Sequence, residues 1–122
     1  MNEMKQVIVI RVDLDLSGGK AVAQGAHACL GSYDDTKGRW GPIGGDMIEP
    51  WNEAGKTKIC LAVHSEEELL ALAAACEAAN LGHYLVRDAG RTEVAPSTPT
   101  ALGIGPDSCR RIDKLTAHLS LY

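Results

Sequence analysis

Hydrophobic and polar positions along the chain predict alternating strands and helices. The apolar, β-branched run QVIVIRVDL at residues 6–14 predicts a first strand that is buried on both faces. Further apolar runs predict strands at 58–64, 83–88 and 100–104. An Ala-rich composition predicts a helix over residues 20–33, and a last helix is expected to open with Pro106 and Asp107 and to fray into the terminal HLSLY.

Residues 65–82 form the clearest predicted helix. Ser65 followed by Glu68 makes a capping box, acidic residues fill the first turn, and Gly82 is placed to end the helix. The preceding segment, residues 34–57, holds five glycines and two prolines. This segment is therefore expected to be irregular, with one short helix that starts near Pro50.

The order of these elements predicts an α/β fold. A β-α-β-α-β order favours right-handed crossovers and parallel strands with helices on both faces. Only about eleven residues link the last two strands, too few for a helical crossover, so that pair is expected to be antiparallel. We therefore predict a single three-layer α/β/α domain over residues 1–122, with a mixed, mostly parallel sheet of about four strands.

Composition and charge narrow the classes of protein. A length of 122 residues with 45% hydrophobic and 23% charged residues is ordinary for one globular domain. No apolar run approaches the roughly 20 residues of a membrane span, and the charged N-terminus is unlike a signal peptide. We thus expect a cytoplasmic protein with no membrane partner. The net charge of −4 is unlike that of a general nucleic-acid binder, so an RNA partner would need locally concentrated cations.

The four cysteines lie far apart and form no Cys-x-x-Cys pair, so we expect reduced thiols in the core. A metal site is not expected. His27 and Cys29 are two residues apart, and on a helix their side chains point about 160° away from each other.

One face of the first helix carries a polar stripe. Lys20, Gln24 and His27 are spaced i, i+4 and i+7, which puts an ammonium, an amide and an imidazole within about 60° of the helix circumference. The glycine-flanked start of this helix is a natural site for an anion. A solvated helix face is the alternative interpretation of the stripe.

A second polar cluster follows the third strand. Asp88, Arg91 and Thr92 open the segment 88–106, which holds almost no bulky apolar residue. The carboxyl ends of parallel strands meet at one edge of a sheet, where α/β proteins usually bind ligands. We therefore expect the two polar clusters to face each other across one crevice.

Four segments give the chain a specific resemblance. GKAVAQGAH at 19–27, WNEAGKTK at 51–58, DAGRTEVAPSTPTALGIGP at 88–106 and IDKLTAHLSLY at 112–122 resemble the type II peptidyl-tRNA hydrolases. That family cleaves the ester bond between a peptide and its tRNA. The resemblance implies a mixed sheet sandwiched by helices, a peptidyl-tRNA substrate held by the RNA 3′ end and a homodimer. No metal or organic cofactor is expected, because activated esters are intrinsically labile.

The family's motifs fall on named residues of this chain. Lys20, Gln24 and His27 match its Lys-x-x-x-Gln-x-x-His motif, and Thr100 matches the threonine before Leu-Gly-Ile-Gly-Pro. Its Asp-Ala-Gly-Arg-Thr motif matches Asp88, Arg91 and Thr92. Two departures remove expected groups: Gly18 replaces a frequent lysine, and Ser97, Thr98 and Pro99 replace the usual residues after Pro96.

The resemblance implies roles in ester hydrolysis by direct attack of water. Asp88 would position or deprotonate the water, with help from Thr92, and partial burial would have to raise its low pKa. Lys20 would stabilise the oxyanion or hold the terminal phosphate. His27 either passes a proton to the ribose or only orients its neighbours. The remaining residues are assigned to substrate binding: Gln24, Arg91, Thr98 and Thr100.

Two other functions stay open at this stage. The fold could serve a non-catalytic protein that binds a tRNA end or a small ligand, or an esterase for another acyl substrate. The acyl preference and the dimer surface cannot be obtained from the sequence.

Overall fold

The computed structural model describes residues 3–41, 44–89 and 93–122. These residues form strands and helices in the order β1 (Met4–Arg11), a short 3-10 turn (Val12–Leu14), α1 (Gly18–Trp40), α2 (Gly44–Glu53), β2 (Lys58–Val63), α3 (Glu66–Ala78), β3 (His83–Arg87), β4 (Pro99–Ser108), α4 (Cys109–Thr116) and β5 (Ser120–Leu121). The predicted α/β architecture is confirmed.

The sheet is mixed and has the strand order β3-β4-β1-β2-β5. The predicted antiparallel pairing of the last two main strands, β3 and β4, is confirmed. The balance of pairings differs from the prediction, because β1 and β2 are the one pair of described strands that runs in parallel. The reason is the position of β4. The strands β1, β2 and β3 all run in one direction, as predicted, but β4 lies between β1 and β3 and runs the opposite way.

Helices cover both faces of the sheet. Val7 and Val9 of β1 face a large apolar cluster that includes Leu69 and Leu72 of α3 and Ile112 of α4. The alternate positions of β1 face a smaller cluster on the side of α1 (Ile8, Ile10, Ala28, Val86 and Ala101). This alternation is the period of two that a strand buried on both faces requires.

The helix α1 is longer than predicted and continues through residues that were expected to be irregular. Its last turns are held by Arg39, whose guanidinium bonds Asp35 on the same helix at 2.7 Å and Glu77 on α3. The helix α2 begins at Gly44, so Pro50 lies inside it rather than at its start. Burial of the Trp51 side chain and its bond to the Thr57 carbonyl at 2.8 Å stabilise α2 in spite of the proline.

The C-terminal part also differs from the prediction. Pro106 and Asp107 belong to β4, and α4 begins only at Cys109, after Ser108 caps it by accepting a hydrogen bond from Arg111 N at 3.2 Å. The terminal residues do not fray, because Leu121 pairs with Leu61 on β2.

The four cysteines are free thiols with unequal burial. Cys76 lies in the core, where burial raises the pKa of its thiol to about 12. Cys29 and Cys109 are partly buried, and Cys60 is exposed because the first half of β2 is open to solvent. The expectation of a core position is therefore wrong for Cys60. Within the described ranges, no helix has the length and apolar character to cross a membrane.

Gly103 of β4 offers a test of how α1 packs on the sheet. A Cβ atom at this position would lie 2.1 Å from the Ala28 carbonyl oxygen and 2.7 Å from Ser32 Oγ, both on α1. We expect Gly103→Ala to lower the free energy of unfolding by about 1–3 kcal/mol, because backbone atoms must shift to make room.

The control for this measurement is Gly38→Ala on α1, where an added Cβ meets nothing within 4 Å. In a helix interior this change is expected to stabilise by about 0.5–1 kcal/mol. Urea unfolding followed by circular dichroism compares the two variants, and equal midpoints would contradict the close packing of α1.

Candidate active site

A cleft of about 860 Å³ lies between α1 and the end of β3. One wall is formed by residues of α1 from Lys20 to Asp35, and the other by residues from Tyr84 to Ala89. Lys20 and Asp88 lie at the carboxyl end of β3, where the sequence predicted a crevice, and the cleft continues from there along β3 to Tyr84. The helix α1 follows β1 and packs across β4, which lies between β1 and β3, and it thereby reaches the β3 wall of the cleft.

The start of α1 is fixed by a cap and by a distant carboxylate. Ser17 is the N-cap residue, and its Oγ accepts a hydrogen bond from Lys20 N at 3.3 Å. Ser17 N donates to Glu93 Oε1 at 2.9 Å, and Ser17 Oγ donates to Glu93 Oε2. These bonds hold the pKa of the Glu93 carboxyl below its usual range. The anion near this helix start is thus a side chain of the chain itself, which ties α1 to the segment after β3.

Lys20 and Asp88 meet in the cleft although 68 positions separate them. Lys20 Nζ donates to Asp88 Oδ1, and the exposed fractions of the two side chains are 13% and 4%. A buried ion pair of this kind requires both partners, because either charge alone would be left unpaired. The convergence that the sequence predicted for these two residues is present.

Asp88 is also held by its backbone. Its N–H donates to the Thr98 carbonyl at 2.9 Å, and its own carbonyl accepts from Ser97 N at 2.7 Å. The Thr98 hydroxyl donates to the Ala95 carbonyl at 2.7 Å and closes the turn between them. Thr98 therefore contacts Asp88 through its main chain, and its hydroxyl is engaged in the turn.

Gln24 connects the polar stripe of α1 to β4. Its Nε2 donates to Thr100 Oγ1 at 2.6 Å, and both side chains are buried. Gln24 reaches the cleft wall, whereas Thr100 is fully buried behind it. Gln24 is thus fixed in one orientation by a hydroxyl that does not line the cleft.

The other predicted site residues occupy different positions. His27 lines the cleft on the exposed side of α1, so the three residues of the stripe do share one wall. Arg91 and Thr92 lie outside the described residues.

Sequence reasoning missed several residues of this site. Tyr84 and Arg87 line the cleft, and Glu93 bonds the start of α1. Tyr84 could have been found from strand periodicity, because residues 84, 86 and 88 fall on one face of a strand. Arg87 follows a register shift that interrupts the alternation of β3, and Glu93 lies in a loop whose path no periodicity gives.

The part of the chain that the structure describes holds no group of three or more His, Cys, Asp or Glu residues arranged to bind a metal. The described lining residues carry ammonium, guanidinium, imidazole and carboxylate groups. Such a set can position a water molecule, stabilise a negative charge and bind a phosphate.

Comparison with known proteins identifies related chains. A family model described as "Peptidyl-tRNA hydrolase PTH2" matches residues 4–122. A peptidyl-tRNA hydrolase of Methanothermobacter thermautotrophicus is 43% identical over 118 residues, which are 97% of this chain and 99% of that protein. A peptidyl-tRNA hydrolase of Haloquadratum walsbyi is 44% identical over 98% of this chain and all of that protein. The human protein "Peptidyl-tRNA hydrolase 2, mitochondrial" is 39% identical over 98% of this chain and 65% of its own length.

The bond between Gln24 and Thr100 can be tested by its effect on stability. Thr100→Val keeps the volume of the side chain but removes the acceptor of the Gln24 amide. We expect the free energy of unfolding to fall by about 1–3 kcal/mol, the cost of leaving a buried polar group without its partner.

Thr100→Ser retains the hydroxyl and is the matched control, expected to lose less than the valine variant. Urea unfolding measures both variants. A valine variant as stable as the serine variant would show that this hydrogen bond contributes nothing.

Proposed function

The chain belongs to the peptidyl-tRNA hydrolase PTH2 family, and we propose that it hydrolyses the ester bond between a peptide, or an N-acylated amino acid, and the 3′ end of tRNA. The chain is a hydrolase acting on a carboxylic ester, and its substrate is a peptidyl-tRNA. The two other functions considered, a binding protein and an esterase for other acyl groups, are not favoured by these relatives.

One observation carries the assignment of the site. Lys20 and Asp88 come from distant segments and meet as a nearly buried ion pair on the wall of an open cleft. A pair with only a structural role could be replaced by apolar side chains at little cost in stability. Its position in the cleft favours a role in the reaction.

Ester hydrolysis requires an activated water and a partner for the negative charge of the tetrahedral intermediate. We assign the water to Asp88, whose carboxylate can accept the proton that the water loses as it attacks the ester carbonyl. We assign the developing oxyanion to Lys20, whose ammonium is held in place before the substrate arrives. We assign Thr92 to assist Asp88 in holding the water.

Direct attack by water is supported by the cleft wall. Among its described lining residues there is no serine, threonine or cysteine that could form an acyl intermediate. Cys29 on α1 directs its thiol to Gln6 Oε1 at 3.1 Å, inside the protein. We therefore infer a mechanism without a covalent intermediate.

The departing ribose oxygen needs a proton. His27 lines the cleft on the same face of α1 as Lys20 and is open to solvent, so it can deliver a proton to this oxygen, or else it only orients Gln24 or Asp88. The two roles differ in the effect of pH, because proton delivery requires the imidazolium form.

The remaining residues are proposed to act on substrate binding. Gln24 lines the cleft while its amide nitrogen donates to Thr100, and Thr100 acts through Gln24 because its hydroxyl lies behind the wall. Thr98 supports the turn that carries Asp88. Arg91 is assigned to a phosphate, a role suited to a guanidinium.

We also propose that the protein is a homodimer. The helix α1 exposes Val22, which is 74% accessible and lies on the side of the helix away from Lys20, Gln24 and His27. Such large apolar side chains lose contact with water when a second copy covers them. This face of α1 is our candidate for the contact between subunits.

The cytoplasm is proposed as the compartment, because unpaired cysteines such as the exposed Cys60 persist in a reducing environment. Detection of the protein in an organelle fraction alone would reject this.

Residues 1–122 are proposed to act as one domain, since the family model spans 4–122. Two separate unfolding transitions would reject that.

The catalytic assignment is tested by Lys20→Met and Asp88→Asn. We expect either change to lower kcat by about 100- to 10,000-fold, because one removes the charge partner of the oxyanion and the other the acceptor of the water's proton. Turnover of N-acyl-aminoacyl-tRNA in the presence of a chelator measures the effect.

Lys5→Met is the matched control, because the Lys5 side chain is also 13% exposed and also forms an ion pair, with Asp113 at 2.6 Å, away from the cleft. We expect kcat of this variant to stay near the wild-type value. Near-normal turnover by both Lys20→Met and Asp88→Asn would reject the proposed site.

The dimer is tested by Val22→Asp, which places a charge in the proposed contact. We expect light scattering to give a dimer for the wild-type protein and a monomer for this variant. Ala74→Asp on the exposed face of α3 is the control and should stay dimeric. A monomeric wild-type protein would overturn the proposal.

A further inference from the structure

The cleft continues along α1 beyond the reacting groups and reaches Tyr84, a residue with no role in the hydrolysis described above. We propose that Tyr84 is a stacking platform for a base of the RNA, upstream of the nucleoside that carries the ester. This inference rests on the proposed function and adds a binding subsite to it.

Tyr84 is set apart from the other aromatic residues of the chain. The chain has two tryptophans and three tyrosines, and among these Tyr84 is the one that the described lining of the cleft includes. It is 47% exposed. By contrast, Trp51 is buried and packs with Tyr33 at a centroid distance of 6.0 Å. An aromatic ring that is open to a cleft can stack on any base, because every base has a π-face.

The ring of Tyr84 packs against Gly31 on the α1 wall of the cleft, in space that a side chain at position 31 would occupy. A Cβ atom at Gly31 of α1 would lie 2.3 Å from Tyr84 Cγ and 2.4 Å from Cδ2. Any side chain at position 31 would therefore displace the ring. A glycine inside a helix weakens that helix relative to alanine, so its presence here is explained by the ring that it admits. A ring fixed in advance loses little conformational freedom when a base stacks on it.

The position of Tyr84 favours an upstream base. Tyr84 lies four positions before Asp88, about 13 Å along an extended strand. Gly31 lies eleven positions after Lys20, about 16 Å along a helix. Successive phosphates of a stacked strand are about 3.4 Å apart along the axis, so this distance exceeds one nucleotide step. The base of the terminal nucleoside would lie closer to the ester than Tyr84 does.

The charges at this end of the cleft favour a base over a phosphate. Asp34 and Asp35 of α1 line the cleft one turn beyond Gly31. Asp35 is engaged by Arg39 and by the backbone N–H of His83, whereas Asp34 is exposed. These carboxylates would repel a phosphate, but they can accept hydrogen bonds from the amino groups of cytosine or adenine.

The test compares two substrates that carry the same N-acyl-aminoacyl ester. One is an ester of adenosine alone, and the other an ester of a short RNA that ends in that adenosine. With the RNA substrate, Tyr84→Ala is expected to raise KM by roughly 5- to 150-fold, the range that one base–aromatic stack covers, with kcat unchanged. With the adenosine ester, Tyr84→Ala is expected to leave KM near the wild-type value.

Three further variants define the cause of the effect. Tyr84→Phe keeps the ring and should behave as the wild-type protein. Gly31→Ala keeps the tyrosine but displaces its ring, and should raise KM for the RNA substrate alone. Tyr122→Ala removes a tyrosine that is 54% exposed outside the cleft, and should change neither constant.

The outcomes separate this inference from the proposed function. If Tyr84→Ala raises KM equally for both substrates, or for neither, the stacking subsite is rejected while the hydrolase stands. If the wild-type protein cleaves neither ester, the proposed function itself fails.

Discussion

The close approach of α1 to the sheet is the constraint on which the rest of the structure depends. Gly103 of β4 lies directly under the Ala28 carbonyl, and Ser32 borders the same space, so no side chain fits between the helix and the strand. This contact sets the height of α1 above the sheet. Because Lys20, Gln24 and His27 lie on the same helix, it also sets how far their side chains reach toward β3.

The strand β4, between β1 and β3, carries or positions several residues around the cleft. Asp88 follows β3 and Thr100 is the second residue of β4, so one strand pair supplies both the carboxylate that meets Lys20 and the hydroxyl that holds Gln24. Gly103 pairs with Tyr84 across the same two strands. A single antiparallel pair therefore positions the carboxylate of Asp88, the hydroxyl that holds Gln24 and the ring of Tyr84 at the far end of the cleft.

Local patterns in the sequence predicted where several residues of the candidate site lie. The features that were not predicted depend on contacts between residues far apart in the sequence. The helical spacing of Lys20, Gln24 and His27 and the place of Asp88 after a strand needed only the periods of helix and strand. The place of β4 between β1 and β3 is a choice among strand pairings of high sequence separation, which no local pattern determines. The bond between Ser17 and Glu93 spans 76 positions and joins a helix cap to a loop. No local pattern around either residue indicates that the two side chains meet. The length of α1 was also missed, because the Asp35–Arg39 and Arg39–Glu77 pairs that support its last turns depend partly on the packing of α3.

The acidic balance of the chain limits how it can hold RNA. With a net charge of −4, attraction to phosphates must come from a few local cations, and Lys20 is already paired with Asp88. Arg87 adds a guanidinium to the wall, but the carboxylates of Asp34 and Asp35 oppose it farther along α1. Among the described residues of this cleft the cations are thus few and partly paired, and salt would screen their attraction for phosphates further. The stack proposed for Tyr84 would add affinity for an RNA end without requiring a net positive charge.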